Sequence, residues 1–190
     1  MKTKLIYLAC ILLIFISGCA KPPIAEMDNA REAVMRAEND RDAVVYGGGS
    51  LARARDSLKR MEIEADSKRY DAAKTLAAEA VSAAEKAIAD GKTGAVRARD
   101  EAAALLSGLR PAIEETEQGI NAARAADMEL DYTELDQGLT GARRDTQDAE
   151  NAMADSEYQD ALDKGRNART ALSDINYKLT NAVTAASRKK

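Results

Sequence analysis

Along most of the chain, apolar residues return in alternating three- and four-residue steps, the pattern of helices that bury one stripe. From Pro23, the positions Met27, Ala30, Val34, Ala37 and Val44 share a face and predict a helix to about Val45. Gly47-Gly48-Gly49 breaks it, and Ser50 is placed to cap a second helix carrying Leu51, Ala54, Leu58, Met61 and Ala65. After a turn at Asp66-Ser67, the pattern resumes through Tyr70, Ala73, Ala77, Val81, Ala84 and Ile88. It then runs on through Ala95, Ala98, Ala102, Leu105 and Leu109. Gly91 and Gly94 each weaken a helix by about 1 kcal/mol relative to Ala, which marks that stretch as the candidate for a kink or break. Pro22, Pro23 and Pro111 all read as helix starts, because a proline inside a stripe would cost a hydrogen bond.

A shift of 88 residues repeats the plan. Pro23 falls on Pro111, Leu51 on Leu139, Ala54-Arg55 on Ala142-Arg143, and Tyr70 on Tyr158. In the second half, Ser156-Glu157-Tyr158-Gln159 has the form of a capping box. The stripe then continues from Tyr158 through Gly165, Leu172, Ile175, Leu179 and Ala182 to Ala186. The reading is an all-α chain: an antiparallel helical bundle or coiled coil of two tandem three-helix units, 23–110 and 111–190. Met27, Leu58, Met61, Leu139, Leu172 and Ile175 are expected in its core. One long irregular coiled coil is the alternative. Alanine stripes let helix axes approach to the lower end of the usual 8–10 Å. Each buried methyl contributes only about 0.8 kcal/mol, so self-association is an expected source of added stability.

The first residues change the picture of where the chain works. Lys2 and Lys4 precede the apolar run Leu5 to Ile16, which is shorter than the roughly 20 residues of a membrane span. That form suits a cleaved signal. Ile16-Ser17-Gly18-Cys19 then resembles the bacterial lipobox, with Ile where Leu is usual. The resemblance implies that residues 1–18 are removed, that the Cys19 thiol carries diacylglycerol, and that its new amine is acylated. Residues 19–22 would be a short lipidated linker. Cleavage near Ala20, giving an unlipidated periplasmic protein, is the alternative, but only lipidation explains the cysteine. Several acyl chains hold a membrane far better than one. Ala20 stands where many inner-membrane lipoproteins carry Asp, so by analogy the outer membrane is favoured.

Composition narrows the chemistry. There is no His and no Trp, the one Phe (Phe15) leaves with the signal, and Cys19 is then the only cysteine. Removal of Lys2 and Lys4 takes the formal charge from −4 to −6, against a nucleic-acid partner. Nucleophilic or general-base catalysis needs a positioned nucleophile beside a base, most often His, so no enzyme and no cofactor are expected. Asp127, Glu129, Asp131, Glu134 and Asp136 open like a calcium loop. Tyr132 stands where that loop needs Gly and Gly138 where it needs Glu, so a turn capped by Thr133 is preferred to a metal site. Arg53, Arg55, Lys59 and Arg60 could meet anionic headgroups or simply pair with Asp56 and Glu64. Tyr46, Tyr132 and Tyr177 are candidates for anchoring a protein partner or for capping helix ends.

The stretch LARARDSLKRMEIEADSKRYDAAKTLAAEAVSAAEKAI, Leu51 to Ile88, resembles a small Ala-rich helical domain of bacterial envelope lipoproteins. That family has no assigned function and pairs a helix beginning Leu-Ala-x-Ala with one beginning Tyr-x-x-Ala. The resemblance covers most of 23–90 and, more faintly, 111–178. Many members continue into an OmpA-like peptidoglycan-binding domain, which is not visible in this sequence. The functional reading is a non-enzymatic, membrane-anchored envelope lipoprotein that acts as a helical scaffold or protein-binding module. The ending Ala-Ser-Arg-Lys-Lys is similar to that of Ala-rich murein lipoproteins, which makes a cell-wall tether through Lys190 the alternative, with peptidoglycan as partner. Surface adhesion to a host ligand is a third reading.

Overall fold

The computed structural model describes residues 21–188, so the signal at 1–18, the lipidation candidate Cys19 and the attachment candidate Lys190 lie outside the described residues. Six helices occur among the described residues: α1 (Ile24–Asn39), α2 (Arg41–Tyr46), α3 (Gly48–Asp66), α4 (Tyr70–Ala125), α5 (Tyr132–Ala154) and α6 (Tyr158–Arg188). No strand occurs among them, and the fold is all-α. Contacts divide the chain into two units between Lys92 and Thr93, not at Pro111 as the sequence suggests. Helix α4 contributes its first part to one unit and the remainder to the other.

In the first unit, α3 runs antiparallel to α1, as the pairs Arg31–Glu62 at 3.3 Å and Arg55–Glu38 at 2.6 Å require, and after the short turn that follows Asp66, α4 returns along α3, with Ser50 meeting Asp90 at 2.7 Å. Its core is mostly alanine: ten of its fourteen buried residues are Ala, beside Val34, Leu51, Met61 and Leu76. Small side chains bring backbones close, and two glycines carry this furthest. A Cβ on Gly91 would lie 2.5 Å from the Ala43 backbone nitrogen, and one on Gly47 would run into the Ala87 carbonyl. Gly91 therefore serves as a contact for α2 and does not break α4. The second unit packs α4, α5 and α6 around Leu109, Ile113, Ile120, Leu135, Leu139, Leu172, Ile175 and Leu179, with only three alanines among eleven buried residues.

Several expected helix ends move, each for a local reason. The first helix stops at Asn39 because Asp40 adopts an extended backbone, and its carboxylate caps α2 by accepting from the Ala43 N–H at 2.9 Å. Gly47, not Ser50, is the N-cap of α3. Asp131, not Thr133, caps α5, accepting from the Glu134 N–H at 3.0 Å. The capping box at Ser156 does not form: Ser156 has φ 61° and closes the end of α5. Its N–H donates to the Met153 carbonyl and that of Glu157 to Ala152, the paired bonds of a Schellman closure. Lys68 (φ 59°) closes α3 with the same two bonds, 88 residues earlier.

These two closures share one form, whereas the first helix of each unit packs at a different spacing. Glu26 pairs with Lys74 and Ala43 packs on Gly91, both 48 residues on, whereas Thr116 pairs with Asn176, 60 residues on. Pro23 and Pro111 therefore occupy unequal places. Pro111 lies inside α4 with its ring exposed. A proline there removes the bond to the Ser107 carbonyl and costs about 3 kcal/mol. The helix persists because Leu109 and Ile113, Thr116, Ile120 and Ala123 stay buried on one face across it. Of the expected core residues, Met61, Leu139, Leu172 and Ile175 are buried, and Met27 and Leu58 are half-buried against the core. The α6 stripe is buried only to Leu179; Ala186 is exposed.

Candidate functional site

Helices α4 and α6 run parallel in the second unit: Gly165 sits against Leu105, Thr116 against Asn176, and Gly119 against Leu179. Helix α5 lies antiparallel to α4, fixed by Arg110–Glu150 at 2.6 Å, Arg143–Glu117 at 2.6 Å and Arg124–Asp136 at 2.9 Å. Three helices cover one another on their inner faces only. The outer seam between α4 and α6 stays open as two depressions of about 720 and 860 Å³ that share Asn176 and Thr180. Together they extend from Ala104 to Met128.

The α4 wall of this groove is lined mainly by small residues, Ala104, Gly108, Ala112, Gly119, Ala122 and Ala123, with Leu105, Leu109 and Glu115 among them. The α6 wall is uncharged for three turns after Arg169, presenting Ser173, Asn176, Tyr177, Thr180 and Thr184. Tyr177 is 69% exposed and Val183 52% exposed. One polar contact pins the groove floor. Thr116 is fully buried, and its hydroxyl oxygen accepts from the Asn176 side-chain amide at 3.1 Å. This pair escapes a sequence reading that ends the stripe at Leu109. Carried across Pro111, the same three-four spacing places Thr116 on the buried face.

The first unit carries a more polar groove of about 1010 Å³ between α3 and α4. Arg53, Arg60, Lys74 and Lys86 line it together with Asp56, Asp71 and Glu79. Most of these charges are occupied locally: Arg60 pairs with Asp56, Lys74 with Glu26, and Lys86 with Asp90. The Lys86 ammonium, followed by the Ser50 hydroxyl, holds the Asp90 carboxyl below its ordinary range. Of the basic group on α3, Arg55 pairs with Glu38 and Arg53 reaches Ser50, so the structure gathers them into pairs with their neighbours. Glu64 is held by Arg69.

The remaining sequence candidates separate. Among the described residues no group of acidic, His or Cys side chains could hold a metal ion. The acidic run at 127–136 is spent on structure: Asp127 takes φ 53° in the turn, Asp131 caps α5, and Asp136 pairs with Arg124. Tyr132 closes the same turn, donating to the Met128 carbonyl at 2.9 Å with Arg124 stacked 4.9 Å over its ring. Tyr46 is half-buried. Of the three tyrosines, Tyr177 opens onto the α4/α6 groove. Among the described residues no helix is long and apolar enough to cross a membrane.

No curated protein and no solved structure matches this chain. Residues 25–104, which run from α1 through α3 and into α4, match the model of a domain of unknown function, DUF4398.

Proposed function

We propose that this protein is a non-enzymatic lipoprotein of the cell envelope, anchored through lipid on Cys19, whose helical body is a protein-binding scaffold. The α4/α6 groove carries the binding part of this reading: it is long, largely uncharged, and offers Tyr177, a side-chain type enriched at binding hot spots. The anchor rests on Ile16-Ser17-Gly18-Cys19, and Ala20 in place of Asp favours the outer membrane by analogy. Helix α1 begins at Ile24, five residues beyond Cys19. At no more than about 3.6 Å per residue, that tether would keep the start of α1 within about 18 Å of the lipid.

Two measurements test the two parts. Mass spectrometry of the membrane-extracted protein is expected to find an acylated Cys19 at the N-terminus, and Cys19→Ala is expected to release the chain from membranes. An unmodified N-terminus at Ala20 would overturn the anchor. For the scaffold, a photocrosslinking residue in place of Tyr177 in the native membrane-bound chain is expected to give a discrete adduct, absent when the same probe replaces Lys59 on α3. Equal labelling from both positions would remove the groove as the binding face.

A further inference from the structure

We propose that the occupant of the α4/α6 groove is a second copy of this chain, packed antiparallel about a two-fold axis at Ala112. The inference rests on the groove being a binding face and names its partner. Arg169 and Glu115 are the only charged residues lining the two depressions. Both are exposed, and neither forms an ion pair among the described residues. Because α4 and α6 run parallel with facing positions 60 apart, Arg169 lies level with Leu109. Glu115 is six residues further along, about 9 Å at 1.5 Å per residue.

A cation and an anion offset along one face are self-complementary under a two-fold rotation that reverses the helix direction. An antiparallel copy centred midway, at Ala112, brings Arg169 of each chain to the level of Glu115 of the other. One symmetry operation therefore brings both opposite-charge pairs level across the seam at once, as an isologous interface does. A parallel copy leaves the two charges at different levels, and a foreign helix would need its own pair at the same spacing.

The side chains select the same centre. A Cβ on Gly108 would meet nothing within 4 Å, so the groove wall is lowest beside the proposed axis. Small residues there let helix axes approach to the lower end of the usual 8–10 Å. Tyr177, level with Glu117, is carried by the same rotation to within one residue of the level of the other copy's Gly108, so the bulkiest exposed side chain of the groove arrives beside the low part of the wall.

The test uses the full chain extracted in mild detergent. Sedimentation equilibrium is expected to show a dimer. Arg169→Glu or Glu115→Arg alone is expected to weaken it at least about tenfold, since like charges then face each other. The double reversal is expected to restore it. Circular dichroism of all three variants should match the parent, because both side chains are exposed. A cysteine at the axis meets its own copy, so Ala112→Cys is expected to form a disulfide-linked dimer under mild oxidation, beyond any background from the parent chain. A monomeric parent, a dimer indifferent to either reversal, or no crosslink from position 112 would each overturn the proposal. None of these readouts depends on the anchor, so loss of the dimer and failure of the lipoprotein reading are separable.

Discussion

Replacing Gly91 by alanine tests how the first unit is built. In a helix interior the change normally gains about 1 kcal/mol, because alanine has less backbone freedom to lose. Here the new methyl would sit 2.5 Å from the Ala43 nitrogen, 2.6 Å from the Asp42 carbonyl carbon and 2.8 Å from the Ala43 Cα. All three are backbone atoms, so no rotamer change can clear them. Relief requires α2 to move away by about 1 Å, and α2 is held at one end by the Asp40 cap and at the other by Gly47, itself pressed against Ala87. Overpacking of this kind costs about 1–3 kcal/mol, and rigid neighbours put it near the upper end. Subtracting the propensity gain leaves a net destabilisation of about 1–2 kcal/mol. Gly141, on the exposed face of α5 with nothing within 4 Å of its would-be Cβ, supplies the control of opposite sign. Gly141→Ala is expected to stabilise by about 0.5–1 kcal/mol. Urea unfolding of the full chain followed by circular dichroism measures both. If Gly91→Ala stabilises as much as Gly141→Ala, the close approach of α2 to α4 is wrong.

Leu172→Asp, at a position 3% exposed in the second core, is expected to destabilise by about 4 kcal/mol or more, through lost burial and an unpaired charge; a shift of less than about 1 kcal/mol in urea unfolding would count against the assigned α6 stripe. Acid should also destabilise the fold. Arg110 holds the Glu150 carboxyl below its ordinary range, as Lys74 does for Glu26 and Arg69 for Glu64. A lowered carboxyl adds stability that is complete above its unfolded pKa and is lost as pH falls through the folded one. Thermal midpoints should therefore stay level from neutral pH to about 5 and fall below about 4. Glu150→Gln should flatten part of that acid limb, and an unchanged slope would show that the Arg110 pair contributes nothing in solution.

Periodicity made the helices legible, and where one residue has a single structural use its role was legible too. Tyr70 and Tyr158 open helices α4 and α6 where the stripe begins, and Leu139, Leu172 and Ile175 lie in the core where their spacing puts them. Helix ends were harder because one residue type serves two positions. Serine is a good N-cap, yet Ser50 is buried one turn into α3 and donates to Asp90, while Ser156 supplies the left-handed turn after α5. Asp40 and Asp131 took the caps instead. Nothing local distinguishes these uses; they depend on which helix packs against that end.

Glycine and proline misled for a related reason. Their intrinsic cost argues for a boundary, but packing sets the sign. Gly91 stays within α4 because a backbone from α2 occupies the space a methyl would need, so its small size is worth more there than its flexibility costs. Pro111 stays within α4 because its ring faces outward while buried residues continue on either side. The same side of α4 holds Gly108, which is exposed, and Ala112, which is half-buried at the edge of the core, and both line the open groove. A residue that breaks the rules of its own helix without benefit to its own core is best sought at a contact made elsewhere. Gly91 meets that contact within the unit. Gly108 meets none among the described residues, and it lines the groove proposed to take a second molecule.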